Sequence, residues 1–308
     1  MGEASLQDEA ARERRARRRL AARRWLRVVV ATLLVLAVMV GQAFVVAAAL
    51  FAPLDELSLT VVYEAGGVVL ATLAVCVMGG APLFELHARE VLAGLRSCRY
   101  MILCDASLAV VSIASSLQSG SAFVADWPWR LALVTLMCLG VGVFEELAFR
   151  ALPVESLLGP LGGSRAGVAW TCVVTSVGFG LAHVLPADLA SLGPLEALQM
   201  LLKVVQTGVC GMLWAAVLVR DRTIWGVALG HALTDLPLML STVLFTTEGV
   251  TADYVSSGDD AMALVATYLF VIALYLPLFF KSARILRQVP VPVRGTFDER
   301  ARERLAAR

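Results

Sequence analysis

Charged residues are scarce in this sequence. Asp, Glu, Lys and Arg make up 17% of the 308 residues, against about a quarter in an ordinary globular domain. Hydrophobic residues make up 59%, and the mean hydropathy is +0.78. The apolar residues fall in blocks about 20 residues long, the length of helix that crosses the hydrocarbon core of a bilayer. The composition therefore predicts an all-α polytopic membrane protein rather than a water-soluble domain.

The sequence also lacks clustered cysteines. No C-x-x-C motif or cysteine–histidine cluster is present, and the cysteines are dispersed, mostly within apolar runs, at Cys76, Cys98, Cys104, Cys138, Cys172 and Cys210. Isolated cysteines in apolar surroundings behave as small hydrophobic side chains. We therefore expect buried free thiols rather than disulfides or a thiolate metal site.

The apolar runs predict eight membrane spans. Their approximate bounds are 28–51, 61–80, 100–117, 130–158, 166–186, 197–219, 223–246 and 261–280. The first run is too long for the core of a signal peptide, so we interpret it as a retained span. The predicted organisation is a basic tail over 1–27, a membrane domain over 28–285 and a charged tail over 286–308. The second tail is expected to lie at the surface as a short solvated helix.

The basic residues predict the orientation. Nine arginines lie between Arg12 and Arg27, and of the 26 Lys and Arg residues all but Arg130 and Lys203 fall on the side of the amino terminus when the spans alternate. Basic residues mark the cytosolic side of a membrane protein. We therefore expect a multi-pass protein of the cell membrane with both termini in the cytosol. The arginine-rich tail is interpreted as a topogenic segment, and no nucleic-acid partner is expected.

Two adjacent glutamates and an arginine interrupt the fourth apolar run, at Glu145, Glu146 and Arg150. Ionisable side chains inside a bilayer are costly unless they are paired or solvated, so they indicate function. In a helix, Glu146 and Arg150 lie one turn apart on one face and can pair. Glu145 points about 100° away from Glu146 and keeps no local partner. We predict that Glu145 is the reactive carboxylate and that other helices supply its partners.

Two of only three histidines lie in predicted spans. His183 follows Phe179 by one turn in the fifth span, and His231 precedes Asp235 by one turn in the seventh. Each histidine must find hydrogen-bond partners without bulk water. Residue counts from the polar turns put both at a depth similar to that of Glu145. Phe179 shares a face with His183, where it either walls the site and contacts substrate or packs between helices.

The depths estimated for Glu145, His183 and His231 agree if the hairpin of the fourth and fifth spans projects about 10 Å beyond the bilayer into the cytosol. Pro153, Glu155 and Ser156 suit such a projection, since they are helix-bending or polar. The sequence thus predicts an intramembrane site in the cytosolic half of the bilayer, open to water from that side.

Three motifs carry a resemblance. Glu-Glu-x-x-x-Arg at 145–150, Phe-x-x-x-His at 179–183 and His-x-x-x-Asp at 231–235 occur in this order on successive spans. Together they resemble the motifs of the CPBP family, the CAAX prenyl protease and bacteriocin-processing (Abi, Rce1-like) membrane endopeptidases. The resemblance covers roughly residues 130–245, and the rest of the chain is similar in topology only. It implies an eight-helix fold with a hydrophilic, cytosol-facing cavity and hydrolysis of a peptide bond within the membrane.

The resemblance also implies a catalytic set, namely Glu145, Glu146, Arg150, His183, His231 and Asp235. In this set the carboxylate at 145 is the general base that activates water, held with the histidine at 183. The glutamate at 146 and the arginine at 150 are the supporting ion pair. The histidine at 231 and the aspartate at 235 bind the oxyanion or orient the scissile carbonyl.

Asp235 departs from the family pattern, because many members carry Asn at this position. An ionised Asp cannot donate a hydrogen bond to an oxyanion. It would instead orient His231, or it would be protonated in a desolvated site.

The metal requirement is left open by the sequence. His183, His231 and Glu145 match the three protein ligands of a catalytic zinc site, so Zn²⁺ and a metalloprotease are one alternative. The H-E-x-x-H motif is absent, however, and the two histidines lie on separate helices. No serine or cysteine obviously neighbours the set, so activated water is the expected nucleophile. A metal-independent glutamate protease is the favoured alternative.

The sequence leaves two alternatives to an endopeptidase that acts on a peptide or protein terminus in the membrane. One is a non-catalytic membrane scaffold or bacteriocin-immunity protein of the same family, which would act by binding. The other is a transporter with an intramembrane proton relay. The complete set of motif residues favours the enzyme, and no inverted repeat or pair of broken helices supports a transporter. Prenylated carboxyl termini, leader peptides and membrane-protein tails all fit as substrates.

Overall fold

The computed structural model describes residues 3–184, 192–246 and 254–298, with side chains from residue 11 onward. Within these ranges the regular secondary structure is helical, and eight helices are long and apolar enough to cross a membrane. This confirms the prediction of an all-α polytopic membrane protein with eight spans. The basic amino-terminal segment is helical and continuous with the first span.

The chain forms nine α-helices over the described ranges. Their bounds are α1 Glu3–Ala49, α2 Glu56–Val77, α3 Ala88–Gln118, α4 Trp127–Glu146, α5 Leu152–Leu161, α6 Arg165–Ala182, α7 Pro194–Asp221, α8 Trp225–Phe245 and α9 Ala261–Gln288. A 3₁₀ turn, Ala81–Phe84, lies between α2 and α3. A π-helical segment, Leu147–Ala151, joins α4 to α5, so that Trp127–Leu161 forms one continuous candidate span.

Local signals explain where several helices begin. Asp55 caps α2 by accepting a hydrogen bond from the Ser58 N–H at 2.7 Å, and this bond holds the pKa of Asp55 below its ordinary value. Ser164 caps α6 through the Gly167 N–H. Both caps satisfy backbone donors that a helix leaves unpaired at its start.

The helices that carry the three motifs lie at the centre of the bundle. Helix α8 packs between α3 and α4, and α7 packs between α6 and α9. Helices α1, α3 and α9 expose large apolar side chains such as Leu33, Leu103 and Phe280. An outer apolar surface over buried polar residues is the arrangement expected of a bundle in lipid.

Glycines allow α8 to approach its neighbours closely. A Cβ on Gly94 of α3 would lie 2.7 Å from the Gly226 Cα of α8, and a Cβ on Gly142 of α4 would lie 2.3 Å from the Ala228 carbonyl oxygen. Small residues at such crossings let helix backbones touch. Because α4 carries Glu145 and α8 carries His231, the second crossing sets the separation between the two.

We expect Gly142→Ala to destabilise the protein by about 1–3 kcal/mol, the usual cost of overpacking, because the added methyl meets backbone rather than a movable side chain. The matched control is Gly178→Ala on α6, where a Cβ would meet nothing within 4 Å; this change is neutral or slightly stabilising in a helix. Thermal unfolding in detergent measures both. Equal melting temperatures for the two variants would contradict the role given to the α4–α8 crossing.

One end of the bundle is joined by a buried ion pair. Arg222 ends α7 in the left-handed region, at φ 60°, and donates to both carboxylate oxygens of Glu155 at 2.8 Å. Glu155 also accepts from the Thr296 N–H. Glu155 and Ser156 are both buried, so they are packed against the chain rather than solvated as the projecting hairpin had suggested.

The segment after α9 corrects a second expectation. Residues 289–298 are not helical but fold back over the bundle, where Phe297 is 1% exposed and the Val293 N–H donates to the Gly162 carbonyl. Arg24 of α1 donates to Asp298 at 3.0 Å, so the two ends of the chain meet here. The prediction of a surface tail is therefore wrong for this segment, because Glu155 and Gly162 bind its backbone. The rest of that tail, residues 299–308, lies outside the described residues.

Candidate active site

A cavity of about 520 Å³ lies inside the bundle and holds most of the predicted catalytic residues. Glu145 of α4, His183 after α6, and His231 and Asp235 of α8 all line it. Residues almost ninety positions apart in the sequence thus face one space. A polar cavity in a helix bundle is the kind of site in which ionisable residues face inward and do chemistry.

The two adjacent glutamates have different surroundings. Glu146 is fully buried; its Oε1 lies 2.9 Å from Nδ1 of His231 and 3.5 Å from Nη1 of Arg150. The predicted Glu146–Arg150 pair is present. The π-helical segment begins directly after Glu146, and such segments are frequent at functional sites. Glu146 therefore joins α8 to the turn that follows α4.

Glu145 keeps its carboxylate available to the cavity. Its side chain is 18% exposed, and its Oε2 lies 3.6 Å from Nε2 of His231. This oxygen makes no hydrogen bond within the described part of the chain. A carboxylate oxygen without a fixed donor can accept a proton from a bound water.

Arg150 is held by charge and by aromatic rings. Its guanidinium carbon lies 3.6 Å above the centre of the Phe179 ring and 5.0 Å from that of Trp214. A cation over an aromatic face is attracted by the ring's quadrupole. Together with Glu146, these rings stabilise a guanidinium that is 1% exposed.

His231 lies at the centre of the charged groups. Beyond the contact of Nδ1 with Glu146, its Nε2 lies 3.4 Å from Oδ2 of Asp235 and 3.6 Å from Oε2 of Glu145. The indole of Trp214 stacks on the imidazole with the ring centres 3.9 Å apart. Because Glu146 can only accept, Nδ1 carries the proton and Nε2 faces the cavity.

His183 is positioned by its own backbone. Its Nδ1 lies 2.9 Å from the Phe179 carbonyl oxygen, which can only accept, so Nε2 is left for a ligand. Helix α6 ends at Ala182 and His183 is its C-cap, so the helix is shorter than the predicted span, which continued to residue 186. The contact of Glu145 is with His231 and not with His183, although both histidines line the cavity.

Phe179 both walls the cavity and packs between helices, and its contact with substrate stays a prediction. It lines the cavity and is 1% exposed. Its ring contacts those of His183 and Trp214, with centres 4.5 and 6.1 Å away. Most of its surface is therefore used for packing, and it holds the rings around the site in place.

The predicted zinc ligands do not fit a metal site. Among the residues that the structure describes, no three His, Cys, Asp or Glu side chains form a group that could hold a metal ion. All six cysteines are free, as expected, although Cys76 is exposed.

Sequence reasoning missed several polar residues of the cavity. Glu64 of α2, Asp105 of α3 and Lys203 of α7 line it, and Asp105 accepts a hydrogen bond from the hydroxyl of Tyr275. Each of the three is an ionisable residue inside an apolar run, which is the signal that identified Glu145. They lie outside the three motifs, and for this reason the sequence did not assign them to the site.

The fold and the site together define a polytopic helical membrane protein with an acid–base centre inside its bundle. Residues 127–237 match the family described as type II CAAX prenyl endopeptidase Rce1-like. This match confirms the resemblance to the CPBP family of membrane endopeptidases, and the matched residues contain all six predicted catalytic positions. Comparisons with curated proteins and with solved structures gave no significant match.

Proposed function

We propose that this protein is an intramembrane endopeptidase that hydrolyses a peptide bond with a water molecule activated by Glu145. The contrast between the two adjacent glutamates carries the proposal. Glu146 is held by His231 and Arg150 through Oε1, whereas Glu145 lines the cavity, where its Oε2 makes no hydrogen bond to a described residue and its nearest charge contact is His231 Nε2 at 3.6 Å. A fixed carboxylate suits positioning, and a free one suits proton transfer.

The water is activated by two acceptors. Glu145 takes its proton, and Nε2 of His183, left free by the backbone contact of Nδ1, accepts the second hydrogen bond. The water oxygen forms a bond to the scissile carbonyl carbon. When the C–N bond breaks, Glu145 returns the proton to the leaving amine.

The developing oxyanion is stabilised by His231. Glu146 fixes the ring through Nδ1, Trp214 stacks on its face, and Nε2 in its protonated form donates to the oxygen. Asp235, 3.4 Å from that same nitrogen, holds the proton there and compensates the charge. Asp235 thus acts on His231 and need not itself donate to the oxyanion.

The proposed setting is the cell membrane, with both termini on the cytosolic side. The distribution of the basic residues supports this orientation, and the contact between Arg24 and Asp298 supports placing the two ends of the chain on one side. The proposed substrate is a peptide or protein terminus at the membrane. CAAX-type termini are the first candidates, because the matched family is described as a CAAX prenyl endopeptidase family.

The test is cleavage of a fluorogenic peptide panel, including prenylated CAAX-type peptides, by purified protein in nanodiscs. We expect wild type to cleave at least one peptide and His231→Ala to lower kcat by at least about 100-fold, because an oxyanion donor is lost. A zinc chelator should leave the rate unchanged, since the donor groups do not converge on a metal.

Two other outcomes would contradict this proposal and support a different function. Loss of activity with the chelator and recovery with added Zn²⁺ would establish a metalloprotease. No cleavage of any panel peptide, together with a cellular phenotype that survives Glu145→Gln, would establish the non-catalytic scaffold.

A further inference from the structure

Lys203 is a buried cation that the proposed chemistry does not use. It lies on α7, is 9% exposed and lines the cavity. Its ammonium nitrogen lies 4.0 Å above the centre of the Tyr254 ring, and it makes no hydrogen bond or ion pair with any residue in the described ranges. Arg130 is the other basic residue that departs from the positive-inside pattern. Unlike Lys203, it has a hydrogen-bond partner, because it donates to the Val243 carbonyl.

A buried ammonium that forms no ion pair is costly, and Glu145 and Asp235 act on Lys203 only across the cavity. Desolvation of the charge is offset only in part by an aromatic face, even where the ring lies directly beneath it. The cavity is large enough to admit a peptide segment, and its volume lies within the range of ligand sites. An anionic group of a bound ligand would supply the missing partner.

The residues that follow Lys203 on the same face also lack partners. Gln206 and Thr207 lie three and four positions on and line the same cavity. Gln206 Oε1 and Thr207 Oγ1 are buried without a hydrogen bond to any described residue. Buried acceptors without donors are rare in folded proteins, so they point to a ligand that brings donors. We call Lys203, Gln206 and Thr207 the α7 polar strip.

The strip borders the proposed catalytic centre. The Tyr254 ring, which contacts Lys203, has its centre 5.9 Å from that of His183. A peptide cleaved beside His183 would therefore extend along α7, with its backbone N–H groups near the two unpaired acceptors.

We propose that Lys203 binds a carboxylate of the peptide substrate while Gln206 and Thr207 bind the backbone beside it. The inference rests on the proposed peptidase function and names a specificity determinant for it. The carboxylate is either the free carboxyl terminus or the side chain of an Asp or Glu near the scissile bond. Both supply the same charge-assisted hydrogen bond to an ammonium.

The test uses prenylated CAAX-type peptides made in matched forms. Each is synthesised with a carboxyl-terminal acid or amide and with Asp or Asn at the penultimate position. Binding is measured by fluorescence anisotropy to protein in nanodiscs in the Glu145→Gln background, and kcat/KM is measured in the wild-type background. We expect one acidic form to bind at least about tenfold tighter than its neutral match. The pair that shows the difference identifies the source of the carboxylate.

The variants assign that preference to one side chain. Lys203→Met should remove the preference, so that the acidic and neutral peptides bind with equal affinity, and Lys203→Arg should keep it. The matched control is Lys281→Met, because Lys281 is the only other lysine of the chain and bonds to the Ser97 carbonyl outside the cavity. If Lys203→Met does not fold, Lys203→Gln replaces it.

The outcomes separate this inference from the proposed function. Equal binding of acidic and neutral peptides by wild type, or an equal loss for both in Lys203→Met, would overturn the role of Lys203 while cleavage still stands. A carboxylate preference that depends on Lys203, in a protein that cleaves none of the peptides, would support the binding site and refute the peptidase.

Discussion

Glu145→Gln should lower kcat by about 10³-fold or more and leave the fold intact. A general base contributes about 10²–10⁴-fold, and glutamine at this position cannot take the proton of the attacking water. The stability is retained because the Glu145 side chain is 18% exposed and its Oε2 has no hydrogen bond to a described residue. Initial cleavage rates and thermal unfolding, measured on the same preparation, give both quantities.

The adjacent position provides the matched comparison. Glu146→Gln makes the same chemical change one residue away, but it removes the counter-ion of Arg150 and disturbs the partner of His231. We expect this variant to lose stability as well as activity. If Glu146→Gln were inactive at full stability and Glu145→Gln retained activity, the assignment of the base would be reversed.

Arg150→Met should destabilise the protein by about 3–5 kcal/mol, the usual cost of leaving one partner of a buried ion pair alone. The variant also removes the guanidinium from the Phe179 ring, 3.6 Å away, so the rings around the site lose a contact. Denaturant unfolding in detergent measures the loss.

A double variant separates the ion pair from the packing. Combining Glu146→Gln with Arg150→Met removes both buried charges, so the double variant should be more stable than the sum of the two single losses predicts. Arg17→Met is the surface control, because Arg17 is 83% exposed where it pairs with Glu13, and it should unfold like wild type. Additive losses in the double variant would show that the two charges do not depend on each other.

The fold was largely predictable because apolar length and basic charge are strong signals in membrane proteins. Eight spans were expected, and the described residues contain eight helices long and apolar enough to cross a membrane. Residues 289–298 were misjudged, because the sequence at the end of the chain, from Phe297 to Arg308, alternates charge like a short solvated helix. Their backbone is bound by Gly162 and Glu155, which lie far away in the sequence. The residue pattern within a segment cannot predict hydrogen bonds to residues that are distant in the sequence.

The members of the site were predictable, but their contacts were not. Helix spacing predicted the Glu146–Arg150 pair, because both residues lie on one helix. It did not predict that His231 lies nearest to both glutamates, since that depends on the close α4–α8 crossing at Gly142. In the sequence, Lys203 stands out only as an exception to the positive-inside distribution of basic residues. Its position in the cavity depends on the packing of α7, which the sequence does not show.

The most direct test of the central claim is to detect the cleavage products by mass spectrometry. Wild type and Glu145→Gln are incubated in nanodiscs with the peptide panel in H₂¹⁸O. The account predicts two fragments from wild type, one with a single ¹⁸O atom in its new carboxyl terminus, and none from Glu145→Gln. Intact peptides with both proteins, or the same labelled fragments from both, would contradict it.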